Sequence, residues 1–269
     1  MSTTAPIIDA HVHPHIWGFG RNVREIDRLV AYGRSLGIER MVALGDVTRY
    51  GASPTERQVA EVNDESAATQ CRHPDYFLSF CFLNPTLGAR SAVRELERCV
   101  ENYRFVGIKL EACNNARDRC MRPVMEAAAR LGLPVLQHSW SASRLPRKLR
   151  GRNSDPADTA LLARRHPDVT IIMAHLSGCE LRGILEIRDL GNVLIDTSGG
   201  PPVAELVELA VEHLGADRVL YGSDLPGRSP AVAVARVLGA RLSPREKRQI
   251  LYGNAARILK LPTLLPANR

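Results

Sequence analysis

Two histidines separated by one residue, His11 and His13, end the first apolar run of the chain, which reads IIDAHVHPH from Ile7. Residues two apart in a β-strand point to the same face, so Asp9 and both imidazoles are predicted to share one face near the strand's carboxyl end. Two neutral imidazoles presented together from rigid backbone make half of a zinc-type site. The sequence therefore predicts a metal-dependent enzyme whose remaining ligands come from later strands.

Further polar residues stand where later apolar runs stop, and they are Lys109, Glu111, His138, His175 and Asp224. In a barrel, the carboxyl ends of all strands meet at one mouth. Imidazoles and a carboxylate together suit zinc or another first-row divalent ion. Each residue alone has a structural explanation, since a lone strand-end histidine is usually hydrogen-bonded and Asp224 could cap a turn. Their joint placement favours a metal site.

The elements that would position these residues alternate between two kinds. Eight short apolar runs are each followed by a segment of helical period, within 269 residues. That length is close to the ~250 residues of a single (β/α)8 barrel. The runs are mostly continuous, as parallel strands covered on both faces should be. A doubly wound sheet is the alternative, but no G-x-G-x-x-G follows the first strand. We predict one TIM-barrel domain over residues 1–269.

Composition limits the partners. The chain carries 36 Lys and Arg against 29 Asp and Glu, a net charge of +7. Most arginines lie beside acidic residues in amphipathic helices, so nucleic acid is not the expected partner. The run from Arg144 to Arg152 is either a solvated loop or an anion-attracting rim over a site.

Six cysteines without a C-x-x-C pair indicate free thiols. With neither a leader nor a membrane span in the sequence, we expect a cytoplasmic protein, and a homodimer by base rate.

The motifs HVHPH, GIKL, LQHS, AHLSG and YGSDLP occur in that order between about Ile7 and Leu259. This combination resembles the amidohydrolase superfamily, and more narrowly the amidohydrolase-related branch that includes the aminocarboxymuconate-semialdehyde decarboxylase type. The resemblance implies a distorted TIM barrel with one divalent metal ion, usually zinc, with manganese as the other candidate. By position it implies four ligands, His11, His13, His138 and Asp224. It further implies that His175 holds and deprotonates a metal-bound water.

Lys109 and Glu111 have no settled role at this point. Binuclear members of the superfamily place a carboxylated, bridging lysine at the position of Lys109, and many relatives have histidine at the position of Glu111. The two residues share a strand face, so one or both are expected to point inward. Lys109 could instead bind a substrate carboxylate, or be buried and paired. We favour one metal ion over two.

Three functions compete for this set of residues. The first is hydrolysis of a small amide, ester or lactone by a metal-activated water. In this reaction His175 acts as the general base and Asp224 shuttles a proton. The second is non-oxidative decarboxylation of a small unsaturated or aromatic acid, with Arg49 as a candidate for the carboxylate and Trp17 and Trp140 as walls for a planar substrate. The third is an inactive barrel that acts as a binding protein. The sequence favours hydrolysis of an anionic small molecule.

Overall fold

The computed structural model describes residues 6–111, 113–144 and 153–261. Eight strands pair in parallel, each with the next in chain order. Backbone hydrogen bonds from Ala10 N to Tyr221 O (3.0 Å) and from Asp224 N to His11 O (2.8 Å) join the first strand to the segment directly after the last strand. The strands are β1 (Ile7–Val12), β2 (Ile38–Ala43), β3 (Phe77–Leu83), β4 (Gly107–Leu110), β5 (Val135–Gln137), β6 (Ile171–Met173), β7 (Val193–Asp196) and β8 (Val219–Leu220). The predicted TIM barrel is confirmed.

Helices follow the strands around the outside of the barrel. They are α1 (Val23–Ser35), α2 (Glu56–Arg72), α3 (Ala89–Tyr103), α4 (Arg122–Leu131), α5 (Pro156–Arg165), α6 (Leu176–Ile187), α7 (Leu206–Leu214), α8 (Pro230–Gly239), α9 (Pro244–Arg248) and α10 (Asn254–Ile258), with a π-helical turn at Gln249–Gly253. Side-chain caps start several of them. The side chain of Asn22 accepts the N–H of Glu25 at the start of α1. Of the arginine-rich run predicted as a loop or rim, residues 145–152 lie outside the described residues.

Apolar side chains form two layers, one inside the barrel and one between its strands and the helices. The inner layer includes one or two residues from seven of the strands, namely Ile8, Ala10, Val42, Phe80, Leu136, Ile172, Leu194 and Leu220. The outer layer packs the other strand faces against the helices. Because strand residues alternate between these layers, both faces of these seven strands carry apolar residues, whereas β4 has Lys109 on its inner face. The inner layer fills the barrel below its carboxyl end, where the polar strand ends lie.

The alternation breaks in β1, which corrects one expectation. The pairing of β1 with β2 shifts register between Asp9 and Val12. As a result, Ala10 packs in the inner layer and Val12 in the outer layer. The imidazoles of His11 and His13 are still in contact. Asp9 does not join them. Its carboxylate instead accepts the backbone N–H groups of His11 (3.2 Å) and Ser223 (2.9 Å). Asp9 therefore holds the backbone beside the site, and burial raises its pKa to about 7.

Gly107, at the start of β4, offers a test of barrel packing. A Cβ at this position would lie 2.5 Å from ring atoms of Phe80, which fills the inner layer. We expect Gly107→Ala to lower the free energy of unfolding by about 1–3 kcal/mol, because overpacking forces the ring or backbone to move. Urea denaturation would measure it. Gly239→Ala, at an exposed helical site with no atom within 4 Å of the added Cβ, is the control and should be neutral or stabilising. Equal effects at both positions would contradict the packing argument.

Two further expectations concern membrane-spanning helices and the state of the cysteines. Among the described residues, no helix combines the length and apolar character that crossing a bilayer requires. The six cysteines are unbridged, and Cys81, Cys99 and Cys179 are buried. The cytoplasmic location and the homodimer stay predictions.

Candidate metal centre and active site

The two histidines of β1 form the centre of the site. His11 Nδ1 lies 2.7 Å from a carboxylate oxygen of Asp196, and His13 Nδ1 lies 2.9 Å from the carbonyl oxygen of Gly45. Carbonyl and carboxylate oxygens only accept hydrogen bonds, so each Nδ1 carries a proton. In neutral imidazoles, both Nε2 lone pairs then face each other, 3.2 Å apart. Two buried acceptors at this distance, with no proton between them, need a cation.

Asp224 supplies a third acceptor. Its Oδ1 lies 3.7 Å from His11 Nε2, and His11, His13 and Asp224 each offer a ligand atom within 4.8 Å of the other two. Nitrogen ligands bind zinc at about 2.0–2.1 Å, so two of them on one ion are at most about 4.2 Å apart, and the observed 3.2 Å fits. Burial lowers the pKa of His13 well below its ordinary value, which keeps that imidazole neutral, as metal binding requires. The residues present therefore fit one divalent ion.

His138, the fourth ligand implied by the resemblance, lies in a neighbouring group. Its Nδ1 is 3.0 Å from Glu111 Oε1 and 3.2 Å from His175 Nε2. The ring centroids of His11 and His175 are 4.9 Å apart, so the two groups adjoin in one site. The structure thus brings all the predicted strand-end residues to the same mouth. It groups His138 with Glu111 and His175, and a ligand role for His138 stays a prediction.

Lys109 and Glu111 form a buried ion pair on β4 and directly after it. Lys109 is fully buried, and its Nζ lies 3.0 Å from Glu111 Oε2. The contact is close, but no acceptor among the described residues aligns with Nζ as a hydrogen bond. Burial opposes the Glu111 charge, yet His138 and Lys109 hold the pKa of Glu111 well below its ordinary value. Both residues point inward, as predicted, and the lowered pKa keeps the Glu111 carboxylate ionised.

Asp196, at the end of β7, is a site residue that sequence reasoning missed. It accepts from His11 Nδ1, from the backbone N–H of His175 (3.0 Å) and from the backbone N–H of Ser198 (2.9 Å). The sequence does contain a signal for this residue, because Asp196 stands where the apolar run NVLI stops, like the other strand-end residues. Gly222 makes room for this contact, since a Cβ there would lie 2.9 Å from the Cβ of His11.

The predicted substrate-binding residues differ in how close they lie to the site and in whether their charge is already paired. The guanidinium of Arg49 is paired with Glu65 (2.5 Å) and Asp46 (3.4 Å). Trp140 is half-buried, and its ring centroid lies 5.5 Å from that of His175. Trp17 is 72% exposed and lines a cavity of about 640 Å³ together with Arg49. Trp140 thus borders the site, whereas the charge of Arg49 is already compensated by two carboxylates.

Comparison with known proteins extends over nearly the whole chain. The profile of the amidohydrolase family (Amidohydro_2) matches residues 8–261. A gamma-resorcylate decarboxylase of Rhizobium radiobacter is 25% identical over 279 aligned positions, covering 84% of each chain.

Two solved structures share the fold. A 2,6-dihydroxybenzoate decarboxylase complexed with 2,6-dihydroxybenzoate has a TM-score of 0.73 and 21% identity over 96% of this chain and 99% of that one. A dihydroxybenzoic acid decarboxylase from Polaromonas sp. JS666, with bound manganese and 2-nitroresorcinol, has a TM-score of 0.71 and 20% identity over 96% and 97%.

These findings correct the expected reaction. Hydrolysis of an amide, ester or lactone was the favoured prediction, and it is wrong, because the relatives act as decarboxylases on aromatic carboxylic acids. The donor groups at the mouth could not reveal this, since the same metal ligands serve either reaction. The match over residues 8–261 does establish the lineage. The chain belongs to the amidohydrolase family of enzymes and has a TIM-barrel fold.

Proposed function

We propose that this protein catalyses the non-oxidative decarboxylation of a small aromatic carboxylic acid, with one divalent metal ion at the barrel mouth. The observation that carries the proposal is the similarity to gamma-resorcylate decarboxylase along 84% of both chains. The convergence of His11, His13 and Asp224 supports it, because these acceptors fit a divalent ion. We assign these three residues as ligands, with His138 as the fourth.

The proposed reaction has a simple balance. The bond between the ring carbon and the carboxylate carbon breaks, CO2 leaves, and the electron pair that stays on the ring carbon takes up a proton. A divalent ion at the mouth supplies a Lewis acid for oxygen atoms of the substrate. For an ortho-hydroxy acid, we assign acceptance of the phenol proton to His175 Nε2. We assign the donation of the proton to carbon to the carboxyl group of Asp224, which lies at the mouth beside His11 and His13.

The walls of the site favour a planar substrate. Trp140 lies beside His175, with 5.5 Å between ring centroids, and aromatic rings pack against each other at such distances. Arg49 remains a weaker candidate for the substrate carboxylate, because Glu65 and Asp46 already pair with it. We therefore place the ring of the substrate against Trp140 and direct its polar edge toward the metal ligands.

Zinc and manganese are both compatible with this proposal. Imidazole nitrogen suits zinc, and the carboxylate oxygen of Asp224 suits manganese as well. The Polaromonas decarboxylase with the same fold holds manganese. Loading the purified protein with each metal separately, followed by the assay below, would decide between them.

We expect the metal-loaded protein to release CO2 from 2,6-dihydroxybenzoate or a related ortho-hydroxybenzoate. Chromatography would detect the phenol product, and in deuterated water the product should carry one deuterium at the carbon that lost the carboxylate. Asp224→Asn should lower kcat by about 10²–10⁴-fold, the usual contribution of a positioned acid. A protein that holds its metal but releases no CO2 from any member of a hydroxybenzoate panel would contradict the proposal.

A further inference from the structure

Ser198 connects two imidazoles of the site to one buried carboxylate. Its Oγ lies 3.1 Å from His175 Nδ1 and 3.3 Å from His11 Nδ1. The same hydroxyl makes a short contact with Asp196 Oδ1. All four residues are buried, so water does not compete for these contacts.

The protons of this cluster can be counted. Asp196 is surrounded by donors, because His11 Nδ1 and the backbone N–H groups of His175 and Ser198 all point to it. A carboxylate with several such donors is ionised and only accepts. The hydroxyl proton of Ser198 is therefore donated to Asp196, which leaves only lone pairs on Ser198 Oγ. An imidazole nitrogen in contact with that oxygen must donate a proton to it, and His175 Nδ1 is the nearer one.

We propose that Ser198 is a positioning residue that, held by Asp196, fixes His175 in the tautomer with its proton on Nδ1. His175 Nε2 then carries the lone pair, which lies 3.2 Å from His138 Nδ1 and can accept a proton. The consequence for catalysis rests on the proposed function, in which His175 Nε2 accepts the phenol proton of the substrate. The tautomer itself follows from the contacts alone.

Two independent contacts agree with this assignment. His138 Nδ1 lies 3.2 Å from His175 Nε2 and 3.0 Å from Glu111 Oε1. Because Glu111 is an acceptor, His138 Nδ1 carries a proton, so a donor faces the lone pair of His175. The reverse tautomer of His175 would place two N–H groups against each other at Nε2 and two acceptors against each other at Nδ1.

Nuclear magnetic resonance of the zinc-loaded protein labelled with ¹⁵N-histidine can read the tautomer directly. Long-range ¹H–¹⁵N correlations distinguish a protonated Nδ1 from a protonated Nε2, and a His175→Gln spectrum assigns the signals. We expect Nδ1–H for His175 in the wild type and in Ser198→Thr, which keeps the hydroxyl. In Ser198→Ala we expect loss of that single tautomer. Ser141→Ala removes a buried hydroxyl that donates to Cys179 O and should change nothing.

The kinetic readout separates positioning from a general structural role. We expect Ser198→Ala to lower kcat by about 10–100-fold, the usual effect of losing a residue that orients a site imidazole, with KM and metal content unchanged. A wild-type spectrum with the proton on Nε2 would overturn the proposal, and so would an unchanged tautomer in Ser198→Ala. If Ser198→Ala does not fold, the wild-type spectrum alone decides. Because the spectrum needs no substrate, failure of the decarboxylation assay would leave this test intact.

Discussion

The double variant His11→Ala/His13→Ala is expected to lose its metal ion and, with it, detectable CO2 release. It removes two of the three acceptors that converge on one point, His11 Nε2 and His13 Nε2, and leaves Asp224 alone. Elemental mass spectrometry should find about one divalent ion per wild-type chain and none in the variant. A ligand that binds only the folded state at 1,000 times its Kd stabilises it by about 4 kcal/mol. A chelator should therefore destabilise the wild type by about that amount and leave the variant unchanged.

His15 provides a matched control for this experiment. It belongs to the same HVHPH run and is also buried, but its ring contacts Gly20 O (3.1 Å) and Thr69 Oγ1 (2.8 Å). His15→Gln should keep the metal ion, although it weakens packing. A double variant that still holds one ion per chain would move the ligand set to the neighbouring group of His138, His175 and Glu111. Two ions in the wild type would instead bring Lys109 and Glu111 into the ligand set.

The order of strands was readable from the sequence for a physical reason. Both faces of a barrel strand are buried, so each strand appears as a continuous apolar run between helical segments. The limits of the runs were less readable. The last run in the sequence, RVLYGSDLP, extends from Arg218 to Pro226, yet β8 spans only Val219–Leu220. Beyond it, Tyr221 N donates to Ile250 O instead of to a neighbouring strand, and such long-range pairing leaves no trace in periodicity.

The residues of the candidate site were also only partly predictable from the sequence. Reading where apolar runs stop found His11, His13, His175 and Asp224, because the barrel topology alone brings these ends together. It misplaced Asp9, since the register shift in β1 is a local irregularity that alternation cannot predict. It also could not predict the reaction, because ligand types specify the metal chemistry while surrounding loops select the substrate.

The variant Lys109→Met is expected to lower the free energy of unfolding by about 3–5 kcal/mol. Lys109 is fully buried, and its Nζ lies 3.0 Å from Glu111 Oε2, which has little access to water. Removing the ammonium leaves the Glu111 carboxylate without its compensating charge, and an uncompensated buried charge carries this penalty. Urea denaturation of the metal-free protein would measure the change without a contribution from the ion.

The double variant Lys109→Met/Glu111→Leu tests the same argument from the other side. Replacing both members of a buried ion pair by apolar residues of similar size is often neutral or stabilising, so most of the loss in Lys109→Met should be recovered. Arg57→Met breaks an exposed pair with Glu61 on α2 and should leave stability unchanged. If Lys109→Met is no more harmful than Arg57→Met, the pair is not a compensated buried charge.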